Sequence, residues 1–265
     1  MARAKSAGKR SKRRASAGLG ARLWRGLRWR LSGPLGLVLL LVGVGWYASL
    51  DLADLKRPRP EDARPQITLL DHKGEVFASL GDRYGQYLHL DQMSPWLPKA
   101  VIAIEDRRFY QHPGIDPLGV LRAFVRNLKE GHVVEGGSTI SQQLAKLAFL
   151  TPERSLTRKV KEALYTLWIE ARFQKDEILE AYLNRLYLGG GAYGVDGAAH
   201  QYFDKPASDL TLAESAMIAG LIRAPSRYAP TRNLRLAQRR AAVVLDSMLR
   251  DGAITPEQAA KAKAH

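Results

Sequence analysis

The stretch VIAIEDRRFYQHPGID, residues 101–116, carries an apolar run into two adjacent carboxylates, Glu105 and Asp106. An acid at the end of a buried run is suited to general-base work, because the apolar lead fixes its position. The plainer alternative is a helix end whose two acids pair with Arg107 and Arg108. His112 has the chemistry of a base or a ligand, but the following Pro113-Gly114 make it read as a turn residue.

A second acid, Glu162, lies in a cation-rich stretch. On a helix over 152–173, Arg154, Arg158, Lys161 and Glu162 share a face, with Lys159 one step round. Val160, Leu164, Leu167 and Trp168 lie on another. Cations around one carboxylate hold it ionised and leave positive charge for an anion such as a diphosphate. Periodicity alone fits a solvated face of i,i+4 pairs better. Between the two acids lies EGGSTISQQLAK, residues 135–146. Gly136 and Gly137 permit close backbone approach, and Ser138 and Thr139 begin a helix whose unpaired N–H groups suit an anion. Gln142 and Gln143 offer amides to a hydroxyl-rich ligand, and Lys146 offers a cation to phosphate. Taken alone, this is also a capped helix with a polar face. Together, two carboxylates suit acid/base work at an anomeric carbon, and the cations suit a phosphate leaving group.

The elements that must position these groups are mostly helical. Pro98 lies where a helix can open and run to Glu105. Asp116-Pro117 form an N-cap and first-turn pair, and Leu118, Leu121, Phe124, Val125 and Leu128 follow at helical spacing until Gly131. Thr151-Pro152 read as the start of the helix bearing Glu162. Asp176 and Glu177 begin another, with Ile178, Leu179, Tyr182, Leu183 and Leu186 inward and Gly189–Gly191 after it. The TLAE box at 211–214 opens a helix to Leu221, and a last helix spans about 234–250. Before them, QITLLDHKGEVFASL predicts two strands around a turn at 72–74, and YGQYLHL a third short strand.

Charge and hydropathy organise the N-terminal part. Of the net charge of +15, the first 30 residues supply most, with eleven Lys and Arg and no Asp or Glu. The excess is therefore a tail and not a nucleic-acid-binding face. Residues 31–50, LSGPLGLVLLLVGVGWYASL, hold no charge, the length a helix needs to cross a bilayer. Positive-inside bias puts the tail in the cytoplasm and the bulk of the chain outside. Residues 51–65 read as a Pro-rich linker, 66–250 as the folded domain and 251–265 as a tail. The absence of cysteine excludes disulfides and thiolate chemistry.

The motifs resemble those of the family 51 glycosyltransferases, the peptidoglycan polymerases found in class A penicillin-binding proteins and as monofunctional transglycosylases. Five ordered segments carry the resemblance: EDRRFYQHPGID, GGSTISQQLAK, RKVKE, KDEILEAYLNRLYLGGGAYGVDGAA and AGLIRAPSRYAP. It implies a mainly α, lysozyme-like two-lobed domain with a small N-terminal β element, preceded by one transmembrane helix. It implies polymerisation of lipid II into β-1,4-linked glycan with release of undecaprenyl diphosphate. Glu105 takes the place of the catalytic base and Glu162 that of the second catalytic acid. Lys146, Arg154, Arg158 and Lys159 fall among donor-diphosphate contacts, Ser138, Gln142 and Gln143 among donor-site contacts, and Asp106 beside the base.

The implied partners are lipid II, the nascent glycan strand, the cytoplasmic membrane and cell-wall synthesis proteins, with no nucleic acid. No cofactor is required; a divalent cation such as Mg or Mn would help neutralise the diphosphate. Leu147 departs from the asparagine that usually follows the motif lysine. The only Ser-x-x-Lys lies at Ser6–Lys9 in the basic tail, so the chain is expected not to react with penicillin. A glycan-cleaving enzyme would share the acids but not need the cationic face, and a scaffold would need neither.

Overall fold

A computed structural model describes residues 67–74, 76–131, 136–150 and 155–264, together with Gly43. The basic tail, the predicted membrane span at 31–50 and Arg154 lie outside the described residues, Gly43 excepted. Among the described residues no helix is long and apolar enough to cross a membrane.

The domain is mainly helical. The two predicted strands form β1 (Ile67–Leu70) and β2 (Val76–Leu80), an antiparallel pair with a register shift at Leu69/Leu70. The third predicted strand is displaced: β3 (Arg83–Tyr84) pairs in parallel with β4 (Ala192–Tyr193), and residues 85–89 form no strand.

Helix α1 (Trp96–Glu105) starts at Trp96 with Pro98 in its first turn, so Pro98 does not open it. It stops at Asp106, whose extended φ of −156° breaks the helix six residues before His112. Asp116 caps α2 (Pro117–Glu130) by accepting the Gly119 N–H, and Gly131 closes it in the left-handed conformation. Helix α3 (Ile140–Phe149) has Thr139 as its cap. Helix α4 (Leu156–Arg172) is capped by Ser155, and the start expected at Thr151-Pro152 lies outside the described residues. Helices α5 (Lys175–Arg185), α6 (Gly194–Phe203) and α7 (Leu212–Leu221) follow. The single turn α8 (Pro225–Tyr228), α9 (Leu234–Arg250) and α10 (Pro256–Lys263) complete the order. The sequence reading assigned no element to 256–263, although Thr255 provides a capping box there.

Two groups of packed helices result. In one, α1 lies against α7 and α9, which also pack on each other. Leu97, Ala100, Val101 and Ala103 of α1 are buried there, as are Val244, Leu245 and Met248 of α9. Ser247 donates to the Ala103 carbonyl at 2.7 Å, which satisfies a polar group in that interface. In the other, α3 packs on α4 and α5. There Glu170 of α4 accepts from Ser141 of α3 and from Lys175 of α5. Gly114 runs close against α4: its φ is +87°, and a Cβ would lie 2.7 Å from Glu170 Cγ. The helical spacing in α2 is not a buried stripe: Leu118, Leu121, Phe124, Val125 and Leu128 are exposed, and Ala123 is buried.

Asp116 combines two tasks, capping α2 and taking both oxygens to Arg108. Burial pushes its carboxyl up, but the Arg108 hydrogen bonds, the Gly119 N–H and nearby positive charge hold it below the usual value. Asp116→Ala is expected to cost about 2 kcal/mol of stability, since it removes a cap and strands a guanidinium. A urea midpoint equal to wild type would contradict this.

Candidate active site

The two helix groups are joined at the C-terminal end of α1. Asp106 is buried and reaches across to α3. It accepts from the Ile140 N–H at 3.1 Å and from His112 Nε2 at 3.0 Å. The positive end of α3 is therefore met by the protein's own carboxylate. The N–H groups of Thr139 and Gln142 are also engaged. Thr139 accepts from the Gln142 N–H, and the Gln142 side chain accepts from the Thr139 N–H. Thr139 Oγ1 donates to the Gly114 carbonyl at 2.5 Å.

These contacts bear on three sequence expectations. At the start of α3 the Ile140 and Gln142 N–H groups have internal partners, which leaves fewer donors for an anion. Gln142 is buried in a capping box. Asp106, expected beside the base, has its oxygens engaged by His112 and Ile140. Ser138, by contrast, is exposed just ahead of the cap. The acids do not pair with the neighbouring arginines either: Arg107 binds Asp251 at 2.6 Å, and Arg108 binds Asp116.

With Asp106 fixed, the preceding residue is also placed. Glu105 Oε2 accepts from Gln143 Nε2 at 2.9 Å, and Gln143 Oε1 accepts from the Tyr182 hydroxyl at 2.8 Å. Burial raises the Glu105 carboxyl above its ordinary value. The Gln143 hydrogen bond and the charges of Arg240 and Arg223 oppose the rise, and Asp106 adds to it. Arg240 needs room to reach this region. A Cβ on Gly220 would sit 3.0 Å from Arg240 Cγ, so the glycine in α7 accommodates its stem. Lys146 lies on α3 one turn beyond Gln143 and is exposed.

Glu162 is buried on α4 and paired with two cations of its own helix, Lys159 and Arg158, the latter at 3.3 Å. Lys161, on the same face by periodicity, is exposed. Sequence reasoning missed Arg223 and Arg240 as neighbours of Glu105, and took Tyr182 as plain core. Arg240 had a signal: it interrupts the stripe formed by Ala237, Ala241, Val244 and Met248 on α9.

One set among the described residues, Asp106, His112 and Asp116, brings ligand-type atoms within 4.8 Å of one another. It does not fit a divalent ion, because Arg108 lies on Asp116 and the Ile140 N–H and His112 lie on Asp106.

A half-buried acid with a raised carboxyl pKa, aimed at by an amide donor and neighboured by cations, has the chemistry of a general base in a helical domain. A family model described as Transglycosylase matches residues 73–249, and the chain belongs to that family. Penicillin-binding protein 1A of Aquifex aeolicus is 43% identical over 230 residues, covering 85% of this chain and 32% of that protein. Penicillin-binding protein 1A of Escherichia coli K12 is 48% identical over 210 residues, covering 78% and 24%. A crystal structure of Penicillin-Binding Protein 1A from Haemophilus influenzae aligns with TM-score 0.45 at 24% identity, over 77% of this chain and 21% of that one. The chain thus spans about a third or less of the length of these relatives.

The raised Glu105 carboxyl has a thermodynamic consequence. A group whose folded pKa exceeds its unfolded one stabilises the fold below the unfolded value, about 4.3 for Glu, and that contribution is lost as pH rises through the folded value. Glu105→Gln is therefore expected to raise the melting temperature relative to wild type at about pH 7.5 and not at about pH 4. Equal differences at the two pH values would contradict the buried charge.

Proposed function

We propose that this domain is a peptidoglycan glycosyltransferase that polymerises lipid II into β-1,4-linked glycan and releases undecaprenyl diphosphate. The observation that carries the reading is Glu105: a half-buried acid with a raised carboxyl pKa and one oxygen already hydrogen-bonded, in a chain of the Transglycosylase family.

In this reading Glu105 takes the proton from the 4-hydroxyl of the acceptor sugar. That oxygen attacks C1 of the donor, with inversion, as the C1–diphosphate bond breaks and the diphosphate leaves with the electron pair. Burial helps by raising the proton affinity of the base above that of an exposed carboxylate. Lys146 on α3 and Arg158 and Lys159 on α4, together with Arg154 from the sequence motif, supply positive charge to the departing diphosphate. Glu162, held by Lys159 and Arg158, keeps those cations ordered. Ser138 and Gln143 lie along the donor side. Asp106 acts through structure, by fixing the end of α1.

The proposal extends to location. The uncharged segment 31–50 anchors the chain in the cytoplasmic membrane with the catalytic domain outside, in the periplasm of a two-membrane cell. The exposed apolar side chains of α2 suit an enzyme that draws a polyprenyl substrate from a bilayer. The two helix groups correspond in this reading to a lysozyme-like core and its smaller companion lobe. Cell-wall synthesis proteins are the partners expected at such a site of polymerisation.

Incubation of the full chain with labelled lipid II tests the reading. Wild type should yield high-molecular-weight glycan, and Glu105→Gln should lose about 100-fold or more in turnover while retaining substrate binding. Unimpaired turnover in that variant would refute the assignment, and shortening of preformed glycan without polymerisation would favour a cleaving enzyme. Lys146→Ala is expected to weaken binding of the diphosphate-linked donor about tenfold, read by titration with a fluorescent lipid II; unchanged affinity would remove Lys146 from the diphosphate site.

A further inference from the structure

Tyr182 is fully buried on α5, yet its hydroxyl is turned toward the site. Its partner, Gln143, faces Glu105 with its other end. The chain of contacts has one polarity. An ionised Glu105 only accepts, so Gln143 must present its NH2 group there. Its carbonyl oxygen then faces Tyr182, which must donate. Turned the other way, the amide would set a carbonyl oxygen against the carboxylate.

We propose that Tyr182 is a positioning residue for the reaction: by holding the Gln143 amide, it keeps Glu105 Oε2 occupied as an acceptor and leaves Oε1 to take the acceptor sugar's proton. This rests on the reading of Glu105 as the base. Burial and the negative charges of Glu105 and Asp106 keep the phenol protonated well above the neutral range, so it remains a donor through turnover. Donation into the amide carbonyl also strengthens donation by the amide N–H.

The groups facing Glu105 are few enough to separate their effects. They are Asp106 on its own helix, Gln143 on α3, Tyr182 on α5, Arg240 on α9 and Arg223 in the turn after α7. The two arginines and Asp106 act by charge and are untouched when the phenol oxygen is removed. Without that oxygen, the Gln143 carbonyl loses a buried donor and the amide is free to rotate away. Glu105 then loses the neutral donor it has among the described residues, and its proton affinity rises.

The test is the pH profile of kcat/KM for lipid II polymerisation by the full chain in detergent micelles. Tyr182→Phe should move the acidic limb upward by about half to one pH unit, a loss of roughly threefold to tenfold on that limb, and converge toward wild type at higher pH. Gln143→Leu should move the limb in the same direction, and the double variant should add nothing further. A purely structural role predicts a pH-independent loss with an unshifted limb, which would overturn the proposal, as would additive shifts in the double variant. If Tyr182→Phe does not fold, an unshifted limb in Gln143→Leu alone overturns it. Glu105→Gln in the same series separates the two readings. Full activity there refutes the base itself, whereas an inert Glu105→Gln beside an unmoved limb refutes only the part given to Tyr182.

Discussion

The structure depends on one carboxylate whose oxygens are engaged inside the protein. Asp106 ends α1, receives the first N–H of α3, and holds the ring of His112. These contacts tie the α1–α7–α9 group to the α3–α4–α5 group at one point. Glu105 is the residue immediately before it, so its position is set by a buried, hydrogen-bonded anchor at the end of a rigid helix. A carboxylate at a helix start is favourable by charge and satisfies an N–H that would otherwise lack a partner. His112, beyond the helix end, closes the same knot.

Two acids in one domain are given opposite surroundings. Glu105 is half-buried, and its desolvation is opposed by an amide and by the fields of Arg223 and Arg240. Glu162 is withdrawn further from water but is matched by two cations from its own helix. Such a division suits different tasks, a proton acceptor in one case and an organiser of positive charge in the other. The cost of burying Glu105 is met by the packing of α1 against α7 and α9, where a small residue, Gly220, admits the stem of the compensating arginine.

The apolar residues divide in a related way. Those of α5 and α7 lie inside and hold the helices that carry Tyr182 and border Glu105. Those of α2, and Val160, Leu164 and Leu167 of α4, face outward. An apolar surface of that extent on a folded domain calls for an apolar neighbour. A stripe at helical spacing therefore specifies a helix, and what covers the stripe is a separate matter.

Much of the fold was legible because its cues are local. Asp116-Pro117, Thr139 with Gln142 three residues on, and Thr211 with Glu214 each satisfy helix-start N–H groups within one turn, so the sequence alone determined those starts. It also determined the charge-free segment, the basic tail and the two carboxylates worth considering, since these depend only on residue type and spacing. Tertiary structure decided what each group touches. Asp106 and Gln142 had the chemistry of ligand contacts and became internal partners. Gln143 joined Glu105 to Tyr182 over 38 and 39 residues of chain. Arg223 and Arg240 came to face an acid more than a hundred residues earlier. Hydrogen bonds and burial act across space, and spacing along the chain carries no record of which distant helix will supply the other half.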